Sequence, residues 1–297
     1  MLAAILTTLL WSCSSICAAR SARLVGGGAA NVTRIAIAVV LLGIWAHFSP
    51  YAHGLGGAAL PWFLLSGFIG FGLGDVAMFC ALNRIGPRLT MLLTHCLAAP
   101  IAALTEWAWL GVGLGWREIA CALVILGGVA LALAPDHGTG VTRRVFWIGV
   151  LAGLGSAAGQ GLGSVISRRA NDAAAAAGYS VDGGTAAYQR IVVGLVVAAI
   201  FWLATRHRDA KPSPGVWPRA WMWITANALA GPTIGVACFQ WGLVTTKTGI
   251  IMPIVALSPI ATQLLAWAVD HTRPTRRTLI GGAIAVGGVI ALQFVQG

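Results

Sequence analysis

Acidic residues are scarce in this chain: eight Asp and Glu stand against 19 Lys and Arg in 297 residues, and charges of both signs make up only 9%. A soluble domain carries about one-quarter charged residues, so an ordinary water-facing surface is excluded. Lysine is nearly missing, with Lys211 and Lys247 alone. The arginines stand singly or in pairs between apolar runs. That pattern excludes the concentrated basic face of a nucleic-acid-binding domain, despite a net charge of +11. No C-x-x-C pair occurs. Cys13, Cys17, Cys80, Cys96, Cys121 and Cys238 lie inside apolar segments without a His at ligand spacing, so no metal is expected and the thiols read as small apolar fillers. Also missing are H-E-x-x-H, a G-x-S-x-G elbow, paired acids beside a base, and the G-x-x-x-x-G-K-[ST] loop that cradles phosphates. No enzyme chemistry, no cofactor and no ATP hydrolysis are therefore expected.

What the chain does have is apolar length. Hydrophobic residues make up 58% of it, and the mean hydropathy is +0.84. The 39 glycines suit helices that pack closely in lipid, where water does not drive association. Crossing the hydrocarbon layer takes about 20 mainly apolar residues, and ten stretches qualify. They run near 2–18, 31–48, 60–82, 89–110 and 116–134, then near 145–166, 185–204, 220–243, 249–269 and 279–294. The expected fold is all-α and polytopic, with a lipid bilayer as solvent. No positive residue precedes Leu2, so the first stretch reads as a transmembrane helix rather than a signal peptide. Trp62, Trp116, Trp147, Trp202 and Trp217 fall near expected helix ends, where an amphipathic ring prefers the headgroup layer.

The chain repeats itself. Pro87-Arg88 through Pro100 matches Thr246-Lys247 through Pro259 at an offset of 159, and Trp107, Arg117 and Gly127-Gly128-Val129 meet Trp267, Arg277 and Gly287-Gly288-Val289 at 160. Arg34-Ile35 returns as Arg190-Ile191 at 156. Five helices written twice give repeats over 1–134 and 145–297, joined by a linker at 135–144. Because five is odd, the second copy enters the membrane from the opposite side, an inverted repeat that places a site between the halves near the midplane.

Several residues recur in the order and spacing of one family. They are Leu10-Trp11-Ser12, Arg34, Ala81-Leu82 before Ile85-Gly86, Pro100, and Gly127-Gly128. With them the chain resembles the EamA domain family of the drug/metabolite transporter superfamily over nearly its whole length. The resemblance implies secondary transport of small metabolites such as amino acids. One feature departs from it: the Gly-Glu pair usual after helix four is replaced by Gly111-Val112-Gly113-Leu114-Gly115, with the acids at Glu106 and Glu118. A role for that glutamate does not carry over.

Lys and Arg number 13 in the odd-numbered connections and 4 in the even-numbered ones. The positive-inside rule then places both termini outside the cytoplasm; members of the resembling family usually have both inside.

A charge at the bilayer centre costs about 2.5–3.5 kcal/mol on insertion scales, so each intramembrane ionisable group has a partner or a task. Asp75 lies deep in helix three, with Gly235 at its repeat-equivalent. It reads either as a proton or cation site or as the neutraliser of an arginine such as Arg34. His95 and Glu106 share a face of helix four and could line one side of a cavity; an imidazole can relay protons near neutral pH. Arg34 and Arg190 stand at matching helix starts, as an anion site or as snorkelling anchors. Pro100 and Pro259 match between halves and Pro253 adds another break, three candidate hinges. Gln160, Asn227, Gln240, Ser258, Thr262 and Gln263 offer hydrogen bonds, to a small polar substrate or between helices. The expectation is an alternating-access carrier in the bacterial cytoplasmic membrane, coupled to protons or run as exchange, with Asp75 and His95 as the coupling residues. A channel or a non-transporting membrane scaffold is the alternative.

Overall fold

The computed structural model describes residues 2–110, 115–133, 142–206, 215–245, 254–255, 257–270 and 275–296, and no strand occurs among them. Helix is the outcome lipid enforces, because each backbone N–H and C=O must then be satisfied within its own segment. Among the described residues, six helical stretches are long and apolar enough to cross a membrane. Large apolar side chains such as Val40, Ile44, Leu104, Leu151, Ile200 and Met222 stand exposed along them, the surface a bilayer covers.

The chain starts with α1 (Leu2–Val25) and α2 (Gly27–Phe48). Only Gly26 separates them, at φ 85, where a side chain would be strained. Next come α3 (Leu60–Gly67), a π-helical turn at Phe68–Gly74, and α4 (Asp75–Leu110). Helix α4 breaks at Gly86, with φ 73 and ψ 173, just before Pro87. After it follow α5 (Trp116–Leu133), α6 (Arg143–Ala176) and α7 (Gly183–Thr205). The last part holds α8 (Val216–Ala228), a second π-helical turn at Leu229–Thr233, α9 (Ile234–Thr245), α10 (Ser258–Asp270) and α11 (Arg276–Gln296).

Glycine contacts reveal how these helices pack. Along α6, Gly149, Gly155, Gly159 and Gly163 meet Ile85, Ala77, Gly74 and Gly70, while Gly153 and Gly161 meet Leu93 and Ala98. The arm before Gly86 thus runs antiparallel to α6 and the arm after it parallel, so the chain reverses at Gly86. At the crossing itself, a Cβ on Gly159 would sit 2.6 Å from the Gly74 Cα; two backbones touch there.

Helix α1 lies in the same way against the later part of the chain. Trp11 and Ser14 meet Gly235 and Gly231 in antiparallel order. In parallel order, the Thr8 hydroxyl donates to the Ile254 carbonyl, that of Ser12 donates to the Ser258 carbonyl, and Ser15 meets Thr262 at 3.4 Å. Helix α5 packs antiparallel to α11, where a Cβ on Gly128 would lie 2.5 Å from the Ala285 nitrogen.

Hydrogen bonds tie the end of α2, the segment after it and the start of α7 together. The Asp182 carboxylate caps α7 by accepting from the Gly184 and Thr185 amides, and also accepts from the Trp45 indole at 2.8 Å and the His53 amide at 2.9 Å. Beside it, Gln189 bonds Gly54 and Gly56, and the Tyr179 hydroxyl bonds Gly56 and Ala59. Partial burial works to raise the Asp182 carboxyl, but the hydrogen bonds from Thr185, His53 and Trp45 outweigh it and hold the group below the usual carboxylate range.

Candidate functional site

Between α1, α2, α4, α6, α7 and α9 lies a cavity with both π-helical turns in its wall. A π turn carries an extra residue, which widens the helix locally, and such turns recur at functional sites. Glycine and proline set both of them here. The first contains Gly70, Gly72 and Gly74, and the second contains Gly231 and Pro232, whose ring removes a backbone donor.

The ionic centre of the cavity is asymmetric. Arg34 is 3% exposed and donates to Asn31 Oδ1 at 3.0 Å and to Asp75 through Nη2, while its guanidinium lies 4.8 Å from the Phe79 ring centre. Arg190 is 6% exposed and stands 5.3 Å from the Phe71 ring centre, and its Nε has no hydrogen-bond partner. Each arginine reaches the distant π turn: a Cβ on Gly231 would lie 3.4 Å from Arg34 Nη1, and one on Gly70 would lie 3.2 Å from Arg190 Nη2. Matched guanidiniums thus face matched turns, but only one has an acid against it.

The rest of the wall is aromatic and hydroxylic. Trp11 stacks on His95 with ring centres 5.2 Å apart and packs on Phe239 at 5.1 Å. The Thr94 hydroxyl donates to Ser156 at 3.1 Å, and Gln160 completes this side. From the wall, the Ser14 hydroxyl donates to Asn227 Oδ1 at 2.7 Å.

Of the residues expected from sequence, the cavity brings together Asp75, His95, Gln160, Arg34 and Arg190. Both arginines are buried inside the bundle, and α2 and α7 begin at Gly27 and Gly183, about two turns before them. Glu106 lies elsewhere. Eleven residues along a helix are roughly 16 Å, which carries it away from His95 to a pair with Arg168, whose side chain is 46% exposed.

Asn227, Ser258 and Thr262 serve contacts between helices; the Ser258 hydroxyl also donates to the Val255 carbonyl. Gln240 and Gln263 are buried with their amides unpartnered and stand outside the cavity wall. Pro259 occupies the first turn of α10, where proline is accommodated without a kink, whereas Pro100 is interior to α4. Pro253 lies outside the described residues. Phe71, Phe239, Thr94 and Ser156 are not among the residues expected from sequence, and Trp11 entered only as part of the family pattern, not as a site residue. For Trp11 one signal existed, since it stands mid-segment rather than at a helix end, where membrane tryptophans concentrate.

No curated protein matches the sequence. Among solved structures 27 chains match. One crystal structure of a protein is 23% identical and superposes with a TM-score of 0.66 over 99% of this chain and 96% of its own, which establishes a shared fold. The sequence model of the EamA-like transporter family matches twice, at residues 1–134 and 147–294. The chain belongs to the EamA-like transporter family.

Proposed function

We propose that this chain is a secondary transporter of small metabolites, such as amino acids and related solutes, working by alternating access in the bacterial cytoplasmic membrane. Ten membrane-crossing helices form an inverted five-plus-five repeat, 1–134 and 145–297, joined by 135–144. The reciprocal packing supports this reading. Helix α6 lies between the arms of the hairpin that reverses at Gly86, and α1 lies in the same sense against α8, α9 and α10. Each half thereby holds the first helix of the other.

The observation that carries the function is the cavity itself. Its wall draws on α1, α2 and α4 from one half and on α6, α7 and α9 from the other, with buried charge at its centre. Rocking one half against the other would open such a site to either side in turn. Asp75 and His95 are the coupling positions, and a proton that neutralised Asp75 would release Arg34. The charge bias of the connections favours both termini outside the cytoplasm, against the usual orientation of the family.

The test is counterflow in liposomes that hold the purified protein. Saturable uptake of a labelled amino-acid mixture, accelerated by the same solutes inside, is expected. A conductance driven by voltage that does not saturate would refute the carrier reading. Dependence on a pH gradient that is the same in Asp75→Asn as in the unaltered protein would remove Asp75 from coupling.

A further inference from the structure

The charges of the central cavity do not balance. Arg34 has two acceptors, Asn31 and Asp75, and its guanidinium is occupied. Arg190 is equally buried, lines the same space, and has the Phe71 ring as its neighbour but no acceptor for its Nε. Asp75, the sole acid among the described residues of the wall, interacts with both guanidiniums and can neutralise one. The position matching Asp75 in the second half is Gly235, whose place beside the indole of Trp11 leaves no room for a side chain. A guanidinium stays protonated in a protein, and an unpaired buried charge is costly. Two cations and one acid therefore leave the cavity one negative charge short.

We infer that the cavity binds a small organic monoanion, its acid group paired with Arg190 and its apolar body held among Trp11, Phe71 and Phe239. The inference rests on reading the cavity as a transport site and specifies what that site accepts. A guanidinium matches a carboxylate through two parallel hydrogen bonds. Aromatic walls suit an apolar or aromatic body better than a sugar, and Thr94, Ser156 and Gln160 supply polar contacts on one flank. Asp75 tunes the site by holding Arg34 away from the ligand, so the acceptance is for one negative charge rather than two.

Isothermal titration of the purified full-length protein tests this with three probes of one shape: phenylacetate, phenylacetamide and phenethylamine. Phenylacetate is expected to saturate at millimolar concentration, with the amide and the amine at least tenfold weaker, the scale of losing hydrogen bonds to a charged group. Arg190→Gln should weaken phenylacetate about tenfold or more, and Asp75→Asn, which frees Arg34, should strengthen it. The gain expected in Asp75→Asn is one that loss of folding would not mimic. Should Arg190→Gln fail to elute as a single folded species, Asp75→Asn alone decides. No saturation by phenylacetate, equal binding of the amide or amine, unchanged affinity in a folded Arg190→Gln, or no gain in Asp75→Asn each overturns the assignment. Counterflow separates the two readings: phenylacetate that binds but is never moved removes transport and leaves the anion site, whereas counterflow of phenethylamine without phenylacetate keeps transport and removes the anion site.

Discussion

Removing the acid from the Arg34–Asp75 pair should cost the protein more than removing the base. The two side chains are 4% and 16% exposed, so solvent screens them little, and breaking a buried pair by deleting one partner typically costs about 3–5 kcal/mol. Asp75→Asn leaves two uncompensated cations, Arg34 and Arg190, and belongs at the upper end, about 5 kcal/mol. Arg34→Gln leaves Asp75 facing Arg190, with which it already interacts, and belongs at or below the lower end, about 3 kcal/mol. The double variant returns the cavity to one net positive charge and should be more stable than Asp75→Asn alone, a coupling of the kind double-mutant cycles isolate. At roughly 2 °C per kcal/mol for a chain of this size, Tm would fall about 10 °C in Asp75→Asn and about 6 °C or less in Arg34→Gln. Thermal unfolding of the variants in one detergent, followed by intrinsic fluorescence, measures the order. A fall in Arg34→Gln as large as in Asp75→Asn, or a double variant less stable than both singles, would refute the reasoning that Asp75 serves two guanidiniums.

Two neighbouring glycines should respond differently to one methyl group. Gly128→Ala drives a Cβ into the backbone of α11, 2.5 Å from the Ala285 nitrogen, and should cost about 1–3 kcal/mol as overpacking does; Gly127→Ala meets nothing within 4 Å and should be neutral or stabilising, so equal Tm values for the pair would sink the contact. Asp182→Ala removes the α7 cap and its bonds to Trp45 and His53, at a cost of about 1–2 kcal/mol at neutral pH. Because the folded carboxyl titrates below its unfolded value, its contribution is complete above about pH 4 and is lost as pH falls through the lower, folded value. The Tm gap between Asp182→Ala and the unaltered protein should therefore narrow in acid, and a gap that holds constant well below pH 4 would count against the cap.

Much of the fold was readable because lipid leaves the backbone few choices and because the chain states its pattern twice. The pairing of Asp75 with Arg34 was readable as well, since a lone acid among buried bases has few partners. Helix starts were harder. Gly26-Gly27-Gly28 looks like a turn, yet only Gly26 takes a positive φ while α2 has begun by Gly27, so Arg34 looked terminal when it is central. Gly183-Gly184 misleads in the same way until Asp182 is seen to cap the helix. Glu106 shares a face with His95, but a shared face says nothing of displacement along the axis. The aromatic wall was hidden for a different reason: in a chain that is 58% hydrophobic, side chains facing lipid, core or cavity are chemically alike, and only the rotation of each helix separates them.

Two halves of identical sequence, related by a two-fold axis in the membrane plane, would convert the inward-facing and outward-facing arrangements into one another by symmetry. The two would then be degenerate, with an equilibrium constant of one in the absence of any gradient. In the alternating-access scheme proposed above, Asp75 would lift that degeneracy. With an acid beside Arg34 and a glycine at the matching place, the twin arrangements become distinct species, and a gap of only about 1.4 kcal/mol between them makes one tenfold more populated. In that scheme the carboxylate that anchors the ionic centre would also be one point at which a resting preference for one side of the membrane enters the chain.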